Sequence, residues 1–260
     1  MNIYLYCGAE NPHFLETAIH LQESLSKQGI SCDFEGKNGP YDVMGAVGGD
    51  GTILDAANIA FKRDLPLFGV NAGRVGFLAA FDEKNIEDIS EETINSLYLS
   101  ERDVISVNVD GRPYRETAIN DIVISREDVR KTIEVEIFYN ENKLGVYRCD
   151  GMIFSTATGS TAYNLAAGGP AILPEVSAMV MTPICATNAQ RSVVVPMNTK
   201  IRLKMSQRPE NAPIIVDGRV FTTIGKGESV TIEGDSGKLK LLLNHARDNY
   251  EILTGTRGGI

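Results

Sequence analysis

The amino-acid sequence predicts an α/β N-terminal domain followed by an all-β C-terminal domain that is β-sandwich-like. Two patterns support this prediction. In residues 1–100, short apolar strands alternate with segments of helical periodicity, an order typical of a parallel sheet covered by helices. In residues 101–260, many short runs alternate apolar with polar side chains between turn residues, which is typical of antiparallel sheets. The 260 residues are enough for two such domains.

The N-terminal domain is predicted to start with a strand at residues 3–6. A helix follows, because Asn11 and Pro12 suit its N-cap and first position, and apolar residues then recur at helical spacing until Gly29. A second helix is expected to begin near Thr52, which forms a candidate capping pair with Asp55. Further strands are expected at 32–34, 43–47 and 67–70, so the sheet should be largely parallel.

The C-terminal domain is predicted from short strand-like runs bounded by turn residues. They lie at 105–109, 119–125, 133–137, 144–149, 178–182, 192–195, 200–205, 213–216, 220–224, 228–233 and 238–243. One helix is expected at 160–167, ended by Gly168-Gly169-Pro170. The C-terminal tail is expected to pack back on the first domain, with a frayed glycine-rich end at 255–260.

The composition excludes several classes of protein. With 43% hydrophobic and 23% charged residues, the chain is typical of a globular protein. The net charge of -9 disfavours nonspecific nucleic-acid binding, because phosphate backbones attract basic surfaces. The four cysteines form no C-x-x-C pair, the first residues do not resemble a signal peptide, and no apolar run is long enough to cross a bilayer. We therefore expect a cytoplasmic protein that binds neither nucleic acid nor membrane.

A glycine-rich turn, Gly48-Gly49-Asp50-Gly51-Thr52, follows a strand and opens a helix. Glycines let a ligand approach the backbone, and the free N–H groups of a helix start suit phosphate oxygens. A carboxylate beside phosphates is unfavourable unless it takes part in chemistry, so Asp50 is predicted to accept a hydroxyl proton or to hold Mg²⁺. The same turn also occurs without function, and neither the Rossmann nor the P-loop glycine pattern is present.

Four segments, in order along the chain, resemble motifs of the NAD kinase family. The glycine turn resembles the GGDGT motif, which diacylglycerol and sphingosine kinases share and phosphofructokinases share more loosely. Residues 71–78 (NAGRVGFL), 118–124 (AINDIVI) and 150–170 (DG, then STATGSTAY and GGP) resemble motifs of NAD kinases specifically. Taken singly, each segment also fits a purely structural interpretation as a turn, strand end, helix cap or packing loop. That interpretation does not account for all four in sequence.

The resemblance implies a reaction and an assembly. The family phosphorylates the 2′-hydroxyl of the adenosine ribose of NAD to make NADP, with ATP or another donor such as polyphosphate. Its two-domain architecture places the active site in the cleft between the domains. Its members are homo-oligomers, here a homodimer or homotetramer with sites at subunit interfaces. No Asp/His cluster in the sequence offers a complete metal cage, so a divalent cation, Mg²⁺, is expected to arrive with the donor.

The resemblance also assigns residues. Asp50 is implied to be the catalytic proton acceptor. Asn120 and Asp121 are implied to contact the adenosine part of NAD, and Asp150, with Arg148 close by, the nicotinamide end. The residues implied to meet the phosphate donor are Gly48, Gly49, Gly51 and Thr52. The full implied NAD-binding set is Gly51, Asn71, Asn120, Asp121, Arg148, Asp150, Thr161, Ala162, Tyr163, Asn164, Leu165, Ala166, Cys185 and Arg219.

Four positions depart from the family pattern. Ala157 replaces a proline, Asp55 stands where a basic residue is usual, residues 185–188 replace a Pro-His segment, and Arg219 replaces glutamine or histidine. Two other functions stay open. A lipid kinase would share the glycine turn without needing residues 161–163, and a non-catalytic NAD(P) sensor would have no need of Asp50. The sequence alone leaves open the donor, the use of NADH as acceptor, feedback by NADPH and the choice between dimer and tetramer.

Overall fold

The computed structural model describes residues 1–8, 11–37, 39–73, 76–188, 190–206 and 211–244. Arg74 and Val75 of the 71–78 motif lie outside the described residues, as does the tail at 255–260. The chain divides into two compact units. The first comprises Met1–Glu101 and the residues from Leu239 onwards, and the second comprises Arg102–Lys238. The last strand is therefore shared between the units.

The first unit is built on a parallel sheet. Its strands are β1 (Asn2–Cys7), β2 (Ser31–Asp33), β3 (Val43–Gly48), β4 (Leu67–Asn71) and β5 (Phe81–Asp82). They run in the order β2-β1-β3-β4, and β5 pairs with the end of β4. On its outer side β4 also pairs in parallel with the end of the last strand, Leu241 opposite Leu67. Every residue of β3 and β4 is buried, as expected for central strands covered on both faces. The predicted parallel α/β arrangement is confirmed.

Two long helices cover this sheet: α1 (Pro12–Lys27) and α2 (Asp50–Lys62). As predicted, Asn11 caps α1, and its side chain accepts a hydrogen bond from the His13 N–H at 3.1 Å. The predicted capping pair of Thr52 and Asp55 is wrong, because α2 begins at Asp50 with Gly49 as N-cap. A 3₁₀ segment (Glu83–Asp88) and a short helix α3 (Glu91–Asn95) follow β5 and were not predicted.

The second unit contains two antiparallel sheets. A six-stranded sheet has the order β13-β12-β11-β8-β15-β16, and the other contains β10, β9, β14 and the first part of β17 in that order. β6 joins the second of these sheets, because it pairs with β17, and it also pairs in antiparallel orientation with β7. The bounds are β6 (Tyr98–Val109), β7 (Arg115–Ala118), β8 (Asp121–Ser125), β9 (Ile133–Tyr139), β10 (Asn142–Cys149), β11 (Gly151–Thr156), β12 (Ala178–Ile184), β13 (Val193–Pro196), β14 (Lys200–Met205), β15 (Asn211–Val216), β16 (Arg219–Gly225) and β17 (Ser229–Leu243).

The core of the second unit lies between the two sheets. Ile137 and Leu203 from one sheet belong to the same buried cluster as Ile124, Phe154 and Met181 from the other. Burying the inner faces of two antiparallel sheets against each other is the arrangement of a β-sandwich. The predicted sandwich-like C-terminal domain is confirmed.

Four elements of the second unit differ from prediction. β7 and β11 were missed, and all six residues of β11 are buried, so it shows no alternation. The predicted strands at 228–233 and 238–243 are one continuous strand. The predicted helix at 160–167 is a 3₁₀ turn (Thr158–Thr161) followed by the one-turn helix α4 (Tyr163–Ala166). None of the helices that the structure describes has the length and apolar character needed to span a membrane.

Candidate functional site

The glycine turn of the first unit forms the start of α2. β3 ends at Gly48, Gly49 is the extended N-cap, and no side chain caps the helix. An added Cβ at Gly48 would lie 2.6 Å from the Thr52 side chain, so the turn requires glycine there. Around Gly49 and Gly51 an added Cβ would meet no atom within 4 Å, which leaves the backbone open to approach. The first-turn N–H groups of α2 are therefore arranged to suit an anion.

The Asp50 carboxylate is held by the loop that follows β4. It accepts hydrogen bonds from the Phe77 N–H, at 3.1 and 3.0 Å to its two oxygens, and from the Leu78 N–H at 3.3 Å. Gly76 permits this approach, because a Cβ at that position would collide with the carboxylate. Two of the sequence motifs thus meet at one half-buried acid, whose orientation is fixed by backbone donors.

Asn71 lies beside the glycine turn at the carboxyl ends of the parallel strands. Asn71 is in register with Gly48, and the Ala72 N–H donates to the Gly48 carbonyl at 3.2 Å. The buried Asn71 side chain accepts a hydrogen bond from the Gly73 N–H at 3.2 Å. The carboxyl end of a parallel sheet is where α/β proteins bind their ligands. The first unit therefore presents Asp50, Asn71 and the helix start at one edge of its sheet.

In the second unit, Asn120 and Asp121 are held by Asp217, an aspartate that lies outside all four sequence motifs. Asp217 joins β15 to β16, with a left-handed φ of 45°. Its carboxylate accepts hydrogen bonds from the N–H groups of Ile119 (2.8 Å), Asn120 (2.8 Å) and Asp121 (3.1 Å). The Asp217 N–H in turn donates to the Asp121 carbonyl at 3.0 Å. The bend that contains Asn120 and Asp121 is thus held by Asp217, which lies in the turn between β15 and β16.

Asp121 is the most strongly perturbed acid of the second unit that the structure describes. Its side chain is buried, with 6% of the residue exposed. Burial raises the pKa of its carboxyl, and the neighbouring Asp217 carboxylate raises the pKa further, to about 7. Perturbed acids of this kind cluster at functional sites.

The 150–170 motif packs directly against Asn120. The Thr156 hydroxyl donates to the Ile119 carbonyl at 2.6 Å, and the Thr156 N–H donates to the Asn120 carbonyl at 2.9 Å. Gly159 lies so close to the Asn120 backbone that a Cβ there would collide with it. The two motifs of this unit, 118–124 and 150–170, therefore form one hydrogen-bonded cluster.

Asn164 has a structural task in that cluster. The residue is fully buried, and its amide donates to the carbonyls of Ser160 (2.8 Å) and Pro170 (3.0 Å) and accepts from the Thr182 hydroxyl (2.6 Å). Its neighbours in the motif are instead accessible, and Tyr163 is 47% exposed. The other accessible or half-buried members of the predicted set are Thr161, Ala162, Leu165 and Ala166.

Asp150 is paired with an arginine that was missed. The Arg126 guanidinium donates to its carboxylate at 2.6 Å, and the Arg126 N–H donates to the Asp150 carbonyl at 2.9 Å. Arg148, the predicted neighbour, pairs instead with Glu134 on the adjacent strand at 2.7 Å. No sequence motif marks Arg126, because it lies 24 residues before Asp150.

The two remaining predicted residues lie on the surface. Cys185 is exposed, has a left-handed φ of 49°, and follows β12 where the Ile184 carbonyl accepts the Asp150 N–H at 2.8 Å. Arg219 is the exposed first residue of β16, opposite Val216 across the turn. Among the residues that the structure describes, no group of three or more His, Cys, Asp or Glu side chains is arranged to hold a metal.

Comparison with known proteins gives consistent results. Residues 32–98 match the model of the ATP-NAD kinase N-terminal domain, and residues 119–243 match that of the ATP-NAD kinase C-terminal domain. The NAD kinase of Flavobacterium johnsoniae is 32% identical over 256 residues, which cover 93% of this chain and 86% of the relative. The NAD kinase of Syntrophobacter fumaroxidans is 32% identical over 243 residues, covering 90% and 86%.

Two solved structures are similar over nearly the whole chain. Yeast NADH kinase complexed with NADH has a TM-score of 0.88 at 22% identity, covering 100% of this chain and 89% of that one. An NAD kinase from Archaeoglobus fulgidus in complex with ATP has a TM-score of 0.79 at 26% identity, covering 98% of each chain. Both share the combination of an α/β domain with an antiparallel β domain.

Proposed function

The chain belongs to the NAD kinase family, and on that premise we propose how its residues transfer a phosphate to NAD. As a member of that family, the enzyme phosphorylates NAD with ATP and produces NADP. The observation that supports the proposal at the level of residues is the Asp50 carboxylate, fixed by the N–H groups of Phe77 and Leu78 beside an uncapped helix start. The lipid-kinase and sensor alternatives both lose their support with the family assignment.

We assign the phosphates of the donor to the start of α2. Its backbone N–H groups attract anions, and Gly49 and Gly51 leave that backbone open to approach. Gly48 and Thr52, which pack against each other in the same turn, complete the set assigned to the donor. A kinase that uses ATP works with a divalent cation, and we propose Mg²⁺, bound to the donor as part of that substrate. Mg²⁺ usually keeps several waters and binds through the phosphates of its nucleotide.

Asp50 is assigned the role of proton acceptor. Both of its oxygens already accept a backbone hydrogen bond, which supports an oriented base more than a metal ligand. A carboxylate is too weak a base to ionise a sugar hydroxyl in advance, so Asp50 takes the proton late. As the 2′-oxygen bonds to the terminal phosphorus, the bond between that phosphorus and the bridging oxygen of the donor breaks. The hydroxyl proton passes to Asp50.

NAD is assigned to the second unit. Asn120 and Asp121 would hold the adenosine part, and Asp150 with its partner Arg126 the nicotinamide end. The residues assigned to line the dinucleotide are Gly51, Asn71, Arg148, Thr161, Ala162, Tyr163, Leu165, Ala166, Cys185 and Arg219, while Asn164 supports the segment from within. We further propose a cytoplasmic homodimer or homotetramer in which a neighbouring subunit completes each site. Light scattering with and without NAD measures the number of subunits.

The test of the function is a coupled assay that detects NADP. NAD, NADH and diacylglycerol are offered as acceptors, with ATP and polyphosphate as donors in parallel reactions. We expect NADP from NAD with ATP and no phosphorylation of diacylglycerol. Phosphate transfer to the lipid without NADP formation would contradict the proposal.

The test of the mechanism is the variant Asp50→Asn. It keeps the shape of the side chain and removes the proton acceptor, so kcat should fall by roughly a hundredfold or more, while NAD affinity changes little. Asp64→Asn is the control, since Asp64 is an exposed acid at the other end of α2 with a left-handed φ that asparagine tolerates. Near-normal turnover in Asp50→Asn would remove Asp50 from the mechanism.

A further inference from the structure

A pair of acids in the second unit, Asp121 and Asp217, is not explained by the transfer reaction. Asp217 lies in the turn between β15 and β16, and Asp121 begins β8, which pairs with β15. The two chain segments are 96 residues apart in sequence. Two carboxyl groups near each other, one of them buried and the other partly buried, disfavour double ionisation. Keeping both groups there requires a reason beyond forming the turn.

The Asp217 carboxylate makes hydrogen bonds that the turn itself does not require. An aspartate in a turn normally accepts a hydrogen bond from its own backbone about two residues further on. The Asp217 carboxylate instead reaches three consecutive N–H groups of another segment, those of Ile119, Asn120 and Asp121 at 2.8, 2.8 and 3.1 Å. Three backbone donors to one carboxylate fix the direction of the chain at residues 119–121.

The Asp121 carboxyl group, unlike that of Asp217, has no hydrogen-bond donors around it among the described residues. Within the part of the chain that the structure describes, no group donates a hydrogen bond to its carboxyl oxygens, although the residue is only 6% exposed. Of the strands that pair with β8, β11 places the uncharged Ser155 opposite Asp121, and β15 leads directly to Asp217. Burial first and the Asp217 charge second raise the pKa of Asp121 to about 7. The protonated form is therefore well populated at neutral pH.

A protonated carboxyl can do what a carboxylate cannot. An ionised aspartate only accepts hydrogen bonds, whereas the neutral acid also donates one. The adenosine part of NAD offers acceptors in its ring nitrogens and ribose oxygens. A neutral acid at the position of Asp121 is suited to one of these acceptors, and it adds no charge repulsion toward the phosphates of the dinucleotide.

We propose that Asp217 is a positioning residue for Asn120 and Asp121, and that Asp121 binds NAD as a neutral acid that donates a hydrogen bond. This inference rests on the proposed function, which assigns Asn120 and Asp121 to the adenosine part of NAD. The inference means that tight binding of NAD requires a proton on Asp121, and that Asp217 favours this protonated form.

The experiment measures kcat, the KM for NAD and, by calorimetry, the Kd for NAD from about pH 5.5 to about pH 8.5. The variants are Asp121→Asn, Asp217→Asn and both together. Asparagine is tolerated at the left-handed φ of residue 217, so the turn is kept. The control is Asp235→Asn, because Asp235, in β17 of the same unit, also accepts a backbone N–H, from Gly237 at 2.9 Å. Its other partner in the described structure is the Arg115 guanidinium at 2.9 Å, so none of its hydrogen bonds reaches residues 119–121.

The wild type should bind NAD more weakly as Asp121 loses its proton. With a pKa of about 7, the Kd and KM for NAD should rise about tenfold between about pH 6 and about pH 8. Asp121→Asn should abolish this rise, because an amide donates at every pH. Asp217→Asn should raise the KM and move the inflection to lower pH, since the repulsion that favours the neutral acid is lost. In each case kcat at saturating NAD should change by less than about twofold.

Several results would overturn the inference. They are a wild-type NAD affinity that does not change with pH, an Asp121→Asn variant that keeps the wild-type inflection, and an Asp217→Asn variant with wild-type KM and inflection. A raised KM with an unmoved inflection in Asp217→Asn would also count against it, since a purely structural residue gives that result. If Asp217→Asn does not fold, the wild type and Asp121→Asn still decide the proton requirement. Absence of NADP formation in the wild type contradicts the proposed function instead, and the calorimetric Kd profile then tests Asp121 by itself.

Discussion

Asp50 is oriented by a loop 27 residues further along the chain, through hydrogen bonds from main-chain N–H groups. Its position therefore depends on how closely that loop can approach, and Gly76 sets the limit because any Cβ would collide with the carboxylate. A carboxylate that must accept a proton along one direction is sensitive to displacements of about 1 Å. Gly76 is therefore needed for the orientation of Asp50 on which the proposed mechanism depends.

Gly76→Ala should consequently lower kcat by roughly tenfold to a hundredfold with little change in the KM for NAD. The matched control is Gly145→Ala, where the added methyl group meets no atom closer than 3.7 Å. Circular dichroism checks that both variants fold. A Gly76→Ala enzyme with wild-type kcat would show that the position of Asp50 is not set by this contact.

Arg219 adds a positive charge where the family resemblance has glutamine or histidine. If it lies at the adenosine ribose, it should favour the 2′-phosphate of NADP over the hydroxyl of NAD, because guanidinium groups bind phosphate oxygens strongly. Arg219→Gln should weaken NADP binding about fivefold or more and NAD binding less, with the gap shrinking at high salt. Arg130→Gln is the control, since Arg130 is an exposed arginine of the same unit. Equal effects on both ligands would place Arg219 outside the phosphate site.

The acids and amides proposed for the site were easier to find in the sequence than the residues that form hydrogen bonds with them. Asp50, Asn120 and Asp121 lie in short motifs that a reader of the sequence can match. Asp217 and Arg126 act on segments 96 and 24 residues away, and such distant hydrogen bonds leave no local pattern. An Asp-Gly pair between two strands has the same appearance whether its carboxylate faces water or three backbone N–H groups.

At the scale of elements, periodic segments were predictable and uniformly buried or very short ones were not. α1 was placed correctly because its apolar residues recur at helical spacing behind a clear cap. β11 was missed because all six of its residues are buried and none alternates. The start of α2 was placed two residues late because Thr52 resembles an N-cap, whereas the uncapped Gly49 takes that position. An N-cap without a side chain leaves the helix N–H groups available. The misplaced residues are therefore those at the start of α2, to which we assign the phosphates of the donor.

The cap of α1 gives a prediction for stability. Asn11→Ala removes the acceptor of the His13 N–H and should lower the free energy of unfolding by about 1 kcal/mol. Glu16→Ala, at an exposed position inside the same helix, should change it by less than about 0.5 kcal/mol. Urea unfolding followed by circular dichroism measures both. Equal effects of the two substitutions would contradict the cap.

For the whole molecule, the raised pKa of Asp121 predicts how stability depends on pH. Between the ordinary pKa of an aspartate, about 3.9, and the folded value of about 7, the native state keeps a proton that the unfolded chain has released. This group therefore makes the protein less stable as pH rises through that window. Asp121→Asn should be roughly 2 to 4 kcal/mol more stable than the wild type at about pH 8, and the difference should vanish near about pH 4.

Urea unfolding of the wild type and of Asp121→Asn at both pH values measures this difference. Asp235→Asn serves again as the control, and its difference from the wild type should not follow the same pH profile. A constant difference between Asp121→Asn and the wild type at all pH values would show that Asp121 titrates normally.

The division of the last strand between the two units bears on the order in which a newly made chain can fold. Leu67 and Phe68 of β4 are synthesised long before Leu241 and Leu242, which pair with them. Until those later residues are synthesised, one edge of an apolar central strand has open N–H and C=O groups, which invite pairing with another chain. The first unit therefore completes its sheet only after the second unit has been synthesised, although most of its own sequence comes first.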